Sequence, residues 1–453
     1  MPHFAHALVL GGGIAGLCAA LALAPHARTV TVAEQDAADA DPGDRRGVPH
    51  ARHTHTLSGG GARALDLLAP GVTEALYAAG AQHFNMPGRY VGLIPFGWNM
   101  RYPGRQFIIG CTRGLLEATI RHRVHDLANV KFLDRTTVRG LTGDTARITG
   151  ARLGESGTLA ADLVVDATGR RSVSPRWLRE LGFPEVAEER VNPGIFYASA
   201  AYRAPAHVGP GFPILNIQTG PGEPRRGGVI VPIEDDQWMV TLSGAPGSQP
   251  STEPAAFREF TAALPHPSLA RLLALATPLG PAFGFRTDAN RLRHFDRLRP
   301  VPAGFLAIGD ACATFNPVYG HGMGTAMLAA LRLRAALDRG RTGTRHLQRT
   351  VARASRTAWD LATGLDLRHE QTEGPRPGRL GRLRDRLQDR IGAVGAYSRP
   401  IADLQHDLFT LSRPAGRVMN RHVLLAAITG PRRQGLRQPP FTSEELRAFD
   451  PPP

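Results

Sequence analysis

The sequence predicts an α/β fold: a Rossmann-like dinucleotide-binding domain, an inserted antiparallel-sheet domain and a C-terminal helical region. Three observations predict it. A short apolar run, Ala5 to Leu10, leads into GGGIAG (11–16) and then into a helix of small residues. Residues 194–245 hold repeated short β runs. Beyond Gly322 the chain becomes long-helical and then rich in Arg and Leu.

The first element reads as a parallel strand buried on both faces, because it is apolar throughout rather than alternating. Ile14 to Ala24 reads as a helix that Pro25 stops, and Thr29 to Ala33 as a second strand ending at Glu34. Together they make one βαβ unit. Asp36 to Arg46 is a polar loop, Leu57 to Leu68 and Arg113 to Leu127 are helical in pattern, and 82–107 suits an inserted hairpin. Val130 to Leu163 reads as a meander running into the apolar strand Leu163 to Val165. Ile195 to Tyr202, Pro213 to Gln218, Gly228 to Pro232 and Trp238 to Ser243 read as an antiparallel sheet. Phe305 to Ile308 is again a buried strand, and Gly322 to Leu337 a long helix.

At 453 residues the chain suits two or three subdomains, and a 42% hydrophobic content supports a large core. The net charge of +15 is almost wholly arginine, since Lys131 is the only lysine. No nucleic-acid module or aromatic-basic interleaving accompanies it, so a solvated Arg-rich surface or an anionic cosubstrate explains the charge. The three cysteines, Cys18, Cys111 and Cys312, form no CxxC pair, which suits a reducing cytoplasm and no metal site. Phe4 to Ala24 is apolar, but its glycines and the lack of a basic start argue against a signal peptide or membrane span.

The chemistry is carried by three motifs. In GGGIAG, Gly11 permits the tight turn, Gly13 lets a pyrophosphate approach the backbone, and Gly16 lets the helix pack on the strand. The N–H groups at Ile14 and Ala15 and the helix dipole then favour phosphate. Glu34 suits a ribose hydroxyl pair. The second motif is DLVVDATG (162–169), where Ala167 and Gly169 are small enough for the dinucleotide to pass. The third is FLAIGDACATFNPVYGHGMG (305–324). There Asp310 can accept a bond from a ribityl hydroxyl, and the N–H groups around Gly322 and Met323 can stabilise charge on a reduced flavin ring. The three in this order point to FAD rather than NAD.

The chain resembles the single-component FAD monooxygenases of the para-hydroxybenzoate hydroxylase fold, and among them the bacterial flavin epoxidases of polyether biosynthesis, akin to squalene epoxidase. The matching stretches are GGGIAG, RRGVPHARHTHTL (45–57), TRGLLE (112–117), DLVVDATGRRS (162–172), VPIEDDQWMVTLSG (231–244) and GDACATFNPVYGHGM (309–323). The resemblance implies an FAD-binding domain over 1–75, 108–180 and 285–345, a substrate-binding β domain over 76–107 and 181–284, and a helical region and tail over 346–453. It places Arg46 and Arg113 on the phosphate and ribityl side, and Pro317, Gly320, Gly322 and Met323 beside the isoalloxazine. His321 departs from it, standing where many relatives are expected to carry glutamine; it could tune the flavin, touch substrate or be a plain loop residue. His50, His53 and His55 lack acidic or Cys partners at ligand spacing, so no metal is expected. His53 and His55 would share one face of an extended segment and could line the site.

The implied activity is NAD(P)H-driven insertion of one oxygen atom from O2 through a flavin hydroperoxide. Alkene epoxidation in a polyketide or terpenoid-like compound is the first expectation. Aromatic hydroxylation and an FAD-dependent reductase or dehydrogenase are the alternatives. No residue is assigned a certain catalytic role, because the flavin does the chemistry. No second GxGxxG is visible, so the nicotinamide would bind transiently. A flavin halogenase needs an active-site lysine and a WxWxIP segment. Lys131 lies in strand-like VKFL, and Trp98, Trp177, Trp238 and Trp359 are isolated, so that reading is set aside. Segment 376–390 could be an amphipathic surface helix on an anionic membrane, but a solvated helix is the favoured reading. A monomer or homodimer is expected.

Overall fold

The structure is a computed structural model that describes residues 2–37, 51–154, 157–220, 223–286, 289–376, 378–414, 421–431, 433 and 435–450. Arg46 and His50 lie outside these. The chain opens with β1 (Phe4–Leu10), α1 (Ile14–Leu23) and β2 (Ala27–Ala33), then β3 (Thr56–Ser58), α2 (Gly59–Leu68) and α3 (Val72–Ala78). β4 (Gln82–Met86), β5 (Tyr90–Ile94), β6 (Gly97–Trp98) and β7 (Gln106–Gly110) precede α4 (Arg113–His125). β8 (Val130–Leu133), β9 (Val138–Gly143), β10 (Ile148–Leu153), β11 (Gly157–Ala160) and β12 (Leu163–Asp166) lead to α5 (Ser174–Glu180) and β13 (Glu188–Val191). β14 (Phe196–Arg203), β15 (Ile214–Gln218), β16 (Arg226–Pro232) and β17 (Gln237–Gly244) are followed by α6 (Pro254–Ala262) and α7 (Ser268–Leu275). β18 (Thr277–Pro278), β19 (Phe283–Arg286), β20 (Asn290–Arg293), β21 (Phe305–Ala307) and β22 (Ala313–Thr314) complete the strands. The closing helices are α8 (His321–Asp338), α9 (Thr344–Asp366), α10 (Arg379–Gly395), α11 (Arg399–Phe409), α12 (Arg421–Thr429) and α13 (Ser443–Leu446).

Two sheets matter for the site. The first is all parallel, in the order β21-β12-β1-β2-β8. Its strands are apolar on both faces because α1 and α8 pack on one side and a cluster with Trp177, Leu178 and Phe295 on the other. α1 is buried at nine of its ten positions, which explains its run of Ala, Leu and Gly. Its closeness to the sheet depends on two glycines. Gly11 has a φ of +99°, and a Cβ there would lie 2.6 Å from the Ala167 carbonyl oxygen. A Cβ at Gly16 would lie 1.8 Å from the Gly11 carbonyl oxygen, inside van der Waals contact.

The second sheet has eight strands, in the order β18-β14-β17-β16-β15-β5-β6 with β19 also on β14. It is antiparallel except where β5 lies parallel to β15. The 82–107 insertion therefore does more than form a hairpin. β4 pairs with β7, while β5 and β6 between them extend the large sheet. The period-2 alternation of β17 sorts its faces. Trp238, Val240 and Leu242 pack with Leu215, Ile217 and Ile230 against Phe257, Leu269 and Leu272 of α6 and α7. Full burial of each such side chain contributes roughly 1.5–3 kcal/mol. Thr241 and Ser243 face the other way, towards the first sheet.

Leu57, expected to start a helix, belongs instead to β3, which pairs with β7; α2 starts only at Gly59. The backbone bonds of β3 to β7 outweigh the helical period of the residues that follow. α10 buries Ile391 and Val394 against α11 and α12 and leaves Leu380 and Leu383 exposed. Among the described residues no helix is long and apolar enough to cross a membrane.

α2 and α8 cross where Gly61 meets Gly324, and a Cβ on Gly61 would sit 2.6 Å from the Gly324 Cα. Gly61→Val should therefore push the helices apart and cost about 1–3 kcal/mol or more, read as a lower midpoint in thermal or urea unfolding. An unchanged midpoint would contradict the crossing.

Candidate cofactor and substrate site

The parallel sheet and the eight-stranded sheet enclose one cavity of about 640 Å³. Two helices begin on it. α1 starts behind Gly13 and α8 behind Gly320, which has a φ of +65°, and neither has a side-chain cap. Ile14 and Ala15 of α1 and His321, Gly322 and Met323 of α8 line the cavity. The first N–H groups of a helix have no intrahelical acceptor, and the dipole places about half a positive charge there. Both ends are thus prepared for anionic or electron-rich groups.

The charged residues on the cavity all come from the parallel-sheet side: Glu34, Arg113, Arg170, Arg171 and Asp310. Glu34 accepts the Gly12 N–H at 2.6 Å and the Asp36 N–H at 3.0 Å, so it braces the glycine turn as well as lining the cavity. Arg113, nine-tenths buried at the start of α4, lies 3.3 Å from Glu117. Asp310 lies deep in the molecule yet opens onto the cavity. Burial raises its pKa, against the pull of Arg170, Arg113 and Arg291. Its carboxylate accepts no side-chain or backbone hydrogen bond among the described residues. A Cβ at Gly13 would meet only the Arg113 guanidinium, at 3.8 Å, so the space over the turn is open. Open space at Gly13, two uncapped helix starts and an unpartnered acid between them fit an adenine dinucleotide with its ring system towards α8.

The opposite wall is the face of the large sheet. Tyr90, Ile214, Asn216, Val229, Thr241 and Phe285 contribute to it, and none is charged. Ile214 is the ligand-facing residue of β15, whereas Leu215 and Ile217 are core, as is Tyr202. His53 and His55 both line the cavity. His55 donates Nδ1–H to the His53 carbonyl at 2.7 Å.

One network registers the two halves. The Asp366 carboxylate, fully buried at the end of α9, accepts from Arg225 at 2.8 Å, Tyr319 Oη at 2.8 Å, Asn290 at 2.7 Å and Asn316 at 3.1 Å. Asn316 in turn accepts a bond from Tyr197 Oη on β14. The loop Asn316–Gly320 is thereby fixed against both the sheet and α9. His321, expected on a loop, is the first residue of α8. It is 2% exposed and donates Nε2–H to the Phe409 carbonyl at 3.0 Å. Phe409 also lines the cavity, so α11 closes one side of it.

Comparison with known proteins decides the family. Residues 5–363 match the model described as FAD binding domain. The chain belongs to that family. This flavoprotein is similar to Protein Rv3254 of Mycobacterium tuberculosis (strain ATCC 25618 / H37Rv), being 34% identical over 399 residues that cover 82% of each chain. In fold it is similar to p-nitrophenol 4-monooxygenase PnpA from Pseudomonas putida DLL-E4. The TM-score is 0.58 at 17% identity, over 94% of this chain and 98% of that one. It is also similar to the flavin-dependent brominase Bmp2, with a TM-score of 0.65 at 16% identity, over 93% and 98% of the two chains. These structures share the mixed α/β fold of FAD-dependent monooxygenases.

The residues singled out in the sequence fall together. Gly11, Gly13, Ile14, Ala15, Glu34, Arg113, Ala167, Gly169, Asp310, Pro317, Gly320, His321, Gly322 and Met323 all line the one cavity. Gly16 does not; it lies beneath, against Gly11. Lys131 is exposed on β8 at the sheet edge, away from the cavity. Reasoning from the sequence missed Asp366, Asn316, Tyr319, Arg225 and Tyr197. Asn316 and Tyr319 stand inside the FNPVYGHGM motif and could have been suspected; Asp366 lies in an unmarked helix. It also missed that Asp166 folds the DATG turn. Its buried carboxylate accepts from Thr168 N–H and Oγ1–H and from Ser172 Oγ–H, at 2.9, 2.6 and 2.5 Å.

Asp366→Ala should cost about 3–5 kcal/mol, because it strands Arg225 and three polar side chains in the interior. Thermal unfolding measures the loss, and retained FAD per chain measures the loop. A second expectation concerns pH. Burial lowers His53, His321 and His406 to about 4, and burial with the Arg113 charge lowers His55 to about 3. In the unfolded chain these groups titrate near the usual 6.5. Between the two values the unfolded state binds more protons, so stability rises with pH and is lost as pH falls through that window. The melting temperature should drop between about pH 7 and about pH 4.5; a flat profile would contradict neutral buried imidazoles.

Proposed function

We propose that this protein is an FAD-dependent monooxygenase acting on a neutral, largely apolar organic molecule. The observation that carries this is the division of the cavity. Its carboxylates and arginines come from the parallel-sheet side, with the two helix starts, while the sheet strands across from them contribute no charged residue, although the Arg170 guanidinium reaches over to the Phe285 ring, 5.4 Å away. Bound FAD supplies the redox chemistry and the activation of O2. The protein's share is positional. α1 and Arg113 hold the pyrophosphate, Glu34 the adenosine ribose and Asp310 the ribityl chain. The α8 N-terminus stabilises charge on the ring, and Pro317 and Gly320 shape the loop beside it. The sheet wall and Phe409 exclude water from the substrate.

Within that reading the reaction is epoxidation of an alkene in a polyketide or terpenoid-like compound, with NAD(P)H as a transient reductant. Aromatic hydroxylation is the second reading. The aromatic side chains Tyr197 and Phe285 on the wall, with ring centroids 6.4 Å apart, favour it, and PnpA is named for a phenolic substrate. A halogenase, as Bmp2 is named, is disfavoured because the chain's one lysine is not at the cavity.

The purified protein should be yellow and release FAD on denaturation. NADPH or NADH should bleach the flavin under anaerobic conditions. Under labelled O2, products from a panel of polyenes and phenols should gain one labelled oxygen atom. Flavin-free protein, or products without the label, would overturn the reading; bleaching only by an added reductase would move the electron source to a partner.

A further inference from the structure

Among the described residues, the sheet side of the cavity holds a buried polar atom without a hydrogen-bond partner. His53 is 9% exposed and lines the cavity, its ring 5.7 Å from that of Phe285. Nδ1 is bonded to Ser199 Oγ at 2.7 Å, while Nε2 is buried with no hydrogen-bond partner among the described residues. An unsatisfied buried polar atom costs about 1–3 kcal/mol, and native structures keep few of them. A ligand that fills the cavity can supply the missing partner.

The other side of the ring explains what Nε2 can offer. Ser199 Oγ lies 2.5 Å from Thr241 Oγ1, and Thr241 Oγ1 lies 2.7 Å from Thr54 Oγ1. Each hydroxyl can rotate, so this chain can run in either direction. When Thr54 donates to Thr241, Thr241 to Ser199 and Ser199 to Nδ1, the proton sits on Nε2, which then donates. When the chain is reversed, Nδ1 donates and Nε2 offers its lone pair. Burial alone depresses the pKa, with no neighbouring charge contributing, so the ring stays neutral in both arrangements.

We propose that His53 Nε2 is the substrate anchor of the cavity, hydrogen-bonding a hydroxyl or carbonyl oxygen of a neutral, otherwise apolar molecule. Ser199, Thr241 and Thr54 are positioning residues that set the tautomer. The proposal rests on the monooxygenase reading only for what the anchored molecule then undergoes.

The test is ligand binding to the FAD-loaded protein, followed by perturbation of the flavin visible spectrum. The probes are 1-naphthol against naphthalene and farnesol against β-farnesene. In at least one pair the wild type should prefer the hydroxyl compound about tenfold or more, the effect of one well-made hydrogen bond in a buried site. His53→Phe should abolish that preference, and His53→Gln should restore part of it. Ser199→Ala, behind the imidazole and off the cavity lining, should weaken it, and serves where His53→Phe does not load FAD. The flavin absorbance in the same sample reports loading. No preference in any pair, or a preference that survives in His53→Phe and Ser199→Ala, overturns the anchor. Preference without oxygenated product upholds the anchor and removes the monooxygenase reading; product without preference does the reverse.

Discussion

A buried carboxylate holds this molecule in register. Asp366 has no exposure to solvent, and an uncompensated charge there would cost several kcal/mol. It is compensated by Arg225 just before β16, by Asn290 at the start of β20, and by Asn316 and Tyr319 from the loop before α8. These partners come from three separate parts of the chain. The carboxylate therefore decides how far the loop Asn316–Gly320, which lines the cavity, stands from the sheet that faces it. Residues 5–363 carry the family match, so Asp366 lies just beyond them, at the last position of α9.

The electrostatic layout follows from that registration. The two helix starts and the residues Glu34, Arg113 and Asp310 gather on one side of the cavity. The other side is made of alternate residues of strands whose remaining side chains form the core with α6 and α7. A β-sheet can present such a neutral face because its period of two separates wall from core cleanly. The Arg170 guanidinium reaches this face, 5.4 Å from the Phe285 ring centroid, but the strands that build it contribute no charged side chain to the cavity. Within it, His53 is the exception that the hydroxyl chain of Ser199, Thr241 and Thr54 makes tolerable.

The C-terminal helices are part of the site rather than an appendage. Phe409 lines the cavity, its carbonyl receives the His321 proton, and the Thr410 carbonyl receives the Gly60 N–H at 2.9 Å. Asp407, 1% exposed, is held by Gln106 at 2.5 Å and by Arg105 and Arg413. α11 and the residues after it are thus fixed to the body of the protein at several points beside the cavity.

By itself, the sequence determined the parallel sheet, the two helix starts that line the cavity and the residues along them. Those features are local: a turn too tight for a Cβ at Gly11 and Gly16, and a helix opened by Gly320, are written in consecutive residues. The alternation of β17 likewise marked Thr241 and Ser243 as sharing a face. What only the tertiary structure decided was which face that was, and which distant residues met across it. Asp366 with Asn316, His53 with Ser199 and His321 with Phe409 are contacts between segments 50 to 146 positions apart. A hydrogen bond between such segments leaves no periodicity in either, because it depends on a chain path set by all the packing in between.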